Sequence, residues 1–295
     1  MTKRSGLNLV ALALACLTTA CTAHLPSAPV GSRPNGSSAP PTEAGSPAAA
    51  PTGISPSAAA EPPGLPSVIS HGPRDRARVA LTFDSNMTDG MLARLNRHQV
   101  ASYDNREVID ELEGLGVPAT MFLAGKWIER YPDETRRLAA NPLFELASHS
   151  YAHRAFHTPC YGLPAIGQAG MAADVERSER LLAQFTDHPT RYFRFPGGCY
   201  DSRSLQAIAS AGVVVIQFDV ASGDAFGHSV PAIVRHVLGS VRNGSIVVMH
   251  ITDGDTAPLT ARALPPIVEG LRARGYELVR VSTLLSAIQS TKSGG

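Results

Sequence analysis

Two histidines four residues apart, His149 and His153, follow an apolar run at 143–147 that reads as a strand entering a buried site. On a helical turn this spacing puts both imidazoles on one side, where they can grip a single ion. The same spacing by itself also suits surface or capping residues. Four further segments surround the pair in a fixed order. Residues 79–84 form an apolar strand ending in a carboxylate, Asp84. Residues 192–198 carry Arg194 ahead of Pro196, Gly197 and Gly198, residues 221–224 end in Asp224, and the apolar run 245–249 ends against His250. Polar groups just past the C-terminal ends of apolar strands are where (β/α) barrels assemble their active sites. An Asp, a His pair, an Arg, an Asp and a His gathered there make a hydrolytic metal site. Any one of them also reads as a strand-end turn residue; the ordered set is harder to read that way.

The elements that must position these groups alternate. Strand-like runs fall at 79–83, 119–123, 143–147, 192–195, 213–218, 245–249 and 277–281, and helical stretches at 106–115, 132–140, 171–185, 202–211, 230–241 and 261–274. Such alternation argues for a parallel sheet, and nearly all-apolar strands argue that both its faces are covered. Periodicity does not separate a barrel from an open doubly wound sheet.

With these segments in view, the chain resembles the polysaccharide deacetylases of carbohydrate esterase family 4, which include chitin and peptidoglycan N-acetylglucosamine deacetylases. The resemblance runs from about Arg78 to Ile288. Thr82-Phe83-Asp84 is similar to the family's first motif and His149-Ser150-x-x-His153 to its second. Arg194 to Gly198, Ser222-Gly223-Asp224 and Val248-Met249-His250 resemble the third, fourth and fifth. The resemblance implies a distorted (β/α)7 barrel, an α/β fold. It also implies Zn²⁺, or another divalent ion such as Co²⁺ or Mn²⁺, held by His149 and His153. Asp84 is then the general base, Arg194 orients it, the Gly197 N–H faces the oxyanion, and His250 protonates the leaving nitrogen with Asp224 behind it.

The chain departs from that pattern at identifiable places. The family's third metal ligand is an aspartate directly after the base, and here that position is Ser85. A neutral hydroxyl is a far poorer Zn²⁺ ligand than a carboxylate. Asn86, Asp89 or His157 could substitute, or Asp84 could turn from base to ligand. Gly197 stands in place of an aromatic residue of the third motif, and Ala221 and Ala225 thin the fourth. A sugar-stacking surface then has to come from Phe226 or Tyr200. Residues 86–104 read as a long loop that borders the substrate groove.

The remaining features bound the molecule. Lys3 and Arg4 precede an apolar run at 7–17, too short to span a bilayer, and Thr18-Thr19-Ala20-Cys21 resembles a lipoprotein cleavage box. Residues 1–21 read as that signal, with an ordinary secretory peptide as the alternative. Residues 22–67, rich in Pro, Ala and Ser, read as a disordered tether, and 68–290 as the catalytic domain. With 26 basic and 25 acidic residues the charge is balanced, and no basic run suggests nucleic acid. Cys160 and Cys199 flank two site segments and form either a bridge or two buried thiols. The expected protein is a monomeric, extracytoplasmic hydrolase that removes N-acetyl (or O-acetyl) groups from cell-wall or related amino-sugar polysaccharides, attached to the membrane through lipidated Cys21 or secreted to the cell wall. The alternatives are a catalytically weakened glycan-binding lipoprotein and a hydrolase of other C–N bonds.

Overall fold

The computed structural model describes residues 64–227 and 229–292. The expected signal at 1–21, with Cys21, and residues 22–63 of the expected tether lie outside the described residues. In chain order the elements are β1 (Val68–Ile69), β2 (Arg78–Ser85), α1 (Asp89–Asn96), α2 (Arg106–Gly114), β3 (Ala119–Leu123), α3 (Gly125–Arg130), α4 (Pro132–Ala140), β4 (Phe144–Ser148), α5 (Gln168–Leu182), β5 (Tyr192–Phe193), α6 (Ser202–Ala207), β6 (Val214–Ile216), β7 (Val220–Ala221), α7 (Val230–Ser240), β8 (Ser245–His250), α8 (Thr260–Ala273), β9 (Glu277–Leu278) and α9 (Val281–Lys292).

Every pairing in the sheet is parallel, in the order β1-β6-β5-β4-β3-β2-β8-β7, with β9 added to β2. Because β8 already occupies one edge of β2 at Val79, β9 uses the other edge, ahead of the point where β3 begins at Leu81. The sheet curls into a partly open parallel barrel with helices packed around it, as the resemblance implies. β3 and β4 are buried along their whole length, which explains their unbroken apolar character.

Register brings the strand ends into line. Asp84 on β2 lies opposite Phe122 of β3 and His250 of β8, and Ser148 at the end of β4 lies opposite Phe193 of β5. The groups that follow these positions therefore share one rim.

Three expectations need correction. The strand at 192–195 stops at Phe193, because Pro196 and Gly197, the latter at φ +64°, turn the chain into a short 3₁₀ segment. The long loop expected at 86–104 contains α1, which starts where the Thr88 side chain accepts the Met91 N–H. The last strand ends at Leu278, and Val281 already begins α9.

On α5, buried Glu179 has one carboxylate oxygen without a partner and the other 3.5 Å from Arg191. Burial raises its pKa from 4.5 to about 7 despite Arg191. The folded state thus holds this proton more tightly than the unfolded chain, and stability falls as pH rises through that window. Glu179→Gln is expected to raise the melting temperature at pH 8 by about 2–4 °C or more, with little gain at pH 5. Thermal scans at both pH values test this, and equal shifts would refute it.

Candidate active site

The site is built around a fully buried guanidinium. Arg194, just past β5, donates through Nη1 to Asp84 Oδ1 (2.7 Å) and Thr82 Oγ1 (2.9 Å), through Nε to Ile216 O (3.1 Å) and through Nη2 to Gln217 O (3.3 Å). Its central carbon lies 3.9 Å from the centroid of the Phe122 ring. Thr82 and Asp84 share one face of β2 by strand alternation, so both can meet the same side chain. The Thr82 hydroxyl donates in turn to Val247 O (2.7 Å). Burial lowers the Arg194 pKa, and Asp84 opposes that shift.

His149 follows β4 directly, and its Nδ1–H donates to Arg194 O (3.0 Å). In the neutral ring that leaves Nε2 unprotonated, 3.5 Å from Asp84 Oδ2. The His153 ring centroid lies 4.9 Å from that of His149, and His153 Nδ1 is buried without a partner. Burial holds the pKa of His149 below its usual value. His153 is pushed well below, first by burial and then by the neighbouring His149 and His250. Neutral imidazoles are the metal-binding form. The two rings do not sit on a helical turn as the spacing suggests. They belong to a loop with left-handed residues at Ser150 (φ +66°) and His153 (φ +49°). The Gly125 and Lys126 N–H groups, at the start of α3, fasten that loop through Ser150 O and Tyr151 O.

The third group is a dyad. His250 Nδ1 donates to Asp224 Oδ1 (2.8 Å), and the His250 backbone N–H to Asp224 Oδ2 (2.8 Å). Thr260 and Ser222 hydroxyls also donate to this carboxylate, at 2.7 and 2.9 Å. Burial pushes Asp224 up, but His250 and the two hydroxyls more than offset it, and its pKa lies below the usual value. Burial lowers His250, yet Asp224 outweighs it and the net direction is upward. Thr260 was not legible in sequence, since it stands 36 residues away at the start of α8.

One cleft of about 230 Å³ is lined by Asp84, His149, His153, Gly197, Asp224 and His250. All seven residues expected at the site are thus together, with Arg194 behind Asp84. Ser85 is not on the cleft: its hydroxyl is buried and accepts the Ala124 N–H (3.1 Å). Asp89 pairs at the surface with Arg154, and His157 with Asp201. Of the two aromatic candidates, Phe226 lines the cleft, whereas Tyr200 stacks on Phe195. Tyr161, missed in sequence, lines it too, 5.5 Å from the Phe226 ring. The signal for it was its place beside Cys160, which forms the disulfide with Cys199.

A polysaccharide deacetylase family model matches residues 71–216, which span β2 to β6 and include Asp84, His149, His153 and Arg194. The chain belongs to the polysaccharide deacetylase family. It is 27% identical over 221 residues to a peptidoglycan-N-acetylglucosamine deacetylase of Bacillus cereus, covering 75% of this chain and 72% of that one. A solved peptidoglycan N-acetylglucosamine deacetylase in complex with an N-oxidanyl-benzamide superposes with TM-score 0.63 at 23% identity, over 75% of this chain and 94% of that one. A carbohydrate esterase family 4 pseudoenzyme from Bacillus anthracis superposes with TM-score 0.59 at 20% identity, over 74% and 69%. At these identities the two structures speak for the fold, which this family member shares with a named deacetylase and a named pseudoenzyme alike.

Removing one partner of a buried ion pair strands the other charge, at a cost of about 3–5 kcal/mol. Arg194→Met is therefore expected to lose about that much unfolding free energy in urea titrations. Asp84→Asn/Arg194→Met should lose less than the sum of the single variants. Additive losses would show that the pair is not coupled.

Proposed function

We propose that the protein is a divalent-metal-dependent hydrolase that removes N-acetyl groups from amino-sugar polysaccharides of the cell wall or related glycans. The observation that carries this reading is one cleft in which an Arg-paired carboxylate, two neutral buried imidazoles and an Asp-held histidine converge. The donor set suits a cation. A carboxylate oxygen and an unprotonated ring nitrogen lie 3.5 Å apart, and their mutual repulsion is one that a bound cation would relieve. His149 and His153 would hold Zn²⁺, Co²⁺ or Mn²⁺, which supplies the Lewis acidity that polarises an amide carbonyl and eases deprotonation of water.

The chain's own groups divide the remaining work. Asp84 receives the water's proton at Oδ2, because Oδ1 is committed to Arg194. The Gly197 N–H, on the cleft wall, stabilises the oxyanion; a donor of this type contributes about 3 kcal/mol. His250, held through Nδ1 by Asp224, delivers a proton to the departing amine. The products are acetate and a free amino sugar. Tyr161 and Phe226 flank the cleft with exposed rings that suit the apolar faces of a pyranose. The basic residues and apolar run at the N-terminus, with the cell-wall substrate named for the Bacillus cereus relative, support action outside the cytoplasm, anchored through lipidated Cys21 or secreted. No helix among the described residues is long and apolar enough to cross a membrane. The buried Ser85 hydroxyl favours one alternative, a glycan-binding relative with weakened catalysis. Acetate release from N-acetylglucosamine oligomers discriminates between the two.

The purified protein is expected to bind about one divalent ion, and His149→Ala/His153→Ala to bind none, read by metal analysis after gel filtration. Asp84→Asn and His250→Ala should each lower kcat by roughly 10²-fold or more while the ion is retained. Near-native turnover in either variant would remove that residue from the mechanism.

The pH profile gives an independent check. His250 must be protonated to act, and Asp224 raises its pKa, so activity is lost as pH climbs through that raised value. Asp224→Asn removes the raising charge and should move the basic limb of kcat to lower pH. An unmoved limb would exclude His250 as the acid.

A further inference from the structure

The side chain that completes the ion site has a signature of its own. Asn86 is only 8% exposed, lines the same cleft as His149 and His153, and its Oδ1 is buried with no hydrogen-bond partner. A buried amide oxygen without a donor costs free energy, and such an orphan calls for an ion or a water. The backbone holds it in place. The Asn86 N–H donates to Thr252 Oγ1 (2.8 Å), and Met87 after it is fully buried in the core. The backbone that carries Asn86 is therefore held at the cleft wall. A second orphan, His153 Nδ1, belongs to the same cleft. Among the described residues no group of three or more His, Cys, Asp or Glu is disposed to hold an ion. An amide oxygen is an established ligand for hard divalent cations, and one at Asn86 supplies a third ligand while leaving Asp84 to its pairing with Arg194.

We infer that Asn86 Oδ1 is the third protein ligand of the divalent ion, in place of Ser85; this rests on the metal-dependent reading of the cleft. The ligand set is two neutral nitrogens and one neutral oxygen. Asp84 is thereby left free as the base, and the site carries one negative charge fewer than a carboxylate-bearing site.

Zn²⁺ affinity, measured by competition with a chromogenic chelator on the full chain, tests this without any activity assay. Asn86→Ala should weaken Zn²⁺ binding by roughly tenfold or more. Asn86→Asp, which restores a carboxylate at the same backbone position, should tighten it by a similar factor. Ser85→Ala should leave the affinity unchanged. The visible absorption of the Co²⁺-loaded protein should change in both Asn86 variants and not in Ser85→Ala. Native affinity in Asn86→Ala overturns the inference while leaving the two-histidine reading intact, and weakened binding in Ser85→Ala overturns it in favour of the hydroxyl. Full metal content in His149→Ala/His153→Ala sinks the underlying reading instead.

Discussion

A guanidinium with no access to water organises this molecule. Arg194 has to find acceptors inside the barrel, and it takes them from two strands and the extension of one: Thr82 and Asp84 of β2, Ile216 at the end of β6, and Gln217 just beyond it. Its own carbonyl accepts from His149, which follows β4. One residue, through its side chain and its carbonyl, thus cross-links the ends of β2, β4, β5 and β6 and fixes the tautomer of a candidate metal ligand. A charge so placed is costly unless every hydrogen bond is made. The same bonds that offset the cost leave Asp84 Oδ2 facing the cleft. Structure and chemistry therefore depend on the same few atoms.

The second constraint lies at the mouth of the cleft. A Cβ at residue 197 would come within 2.7 Å of Cys160 Sγ, and the backbone there has φ +64°. Gly197 follows from that close approach, so a larger side chain at this point has no room here. The Cys160–Cys199 bridge brings Tyr161 against Gly197 and opposite Phe226. The covalent link thus holds one aromatic ring at the cleft mouth, beside a position that has room only for glycine.

The Asp224–His250 pair follows the same economy. Asp224 follows β7, which pairs with β8, and receives four hydrogen bonds: two from His250, one from Ser222 and one from Thr260. A carboxylate so saturated stays in place, and its imidazole stays oriented toward the cleft. Hydroxyls from β7's following turn and from α8 contribute the last two bonds, so this corner depends on the helices outside the sheet as well as on the strands.

The apolar strands, their alternation with helices, and the order of Asp84, His149, His153, Arg194, Asp224 and His250 were legible in the chain, because parallel strands buried on both faces must be apolar and their ends must carry whatever chemistry there is. Composition alone left open whether Cys160 and Cys199 pair and which residue serves in place of an aspartate at 85. Those depend on distances between segments far apart in sequence. Helical spacing suggested how His149 and His153 converge, but a left-handed loop fastened by α3 brings them together. The helix at Asp89–Asn96 was hidden because its moderately amphipathic pattern is short and starts from a threonine cap. Thr260, Tyr161 and the orphaned Asn86 oxygen became visible only once the chain was folded, since burial and hydrogen-bond partners are properties of the packed structure. The sequence by itself determined which chemistry could be present at the strand ends; the tertiary structure decided which atoms face the cleft, because side-chain direction and burial are set by register and packing rather than by order along the chain.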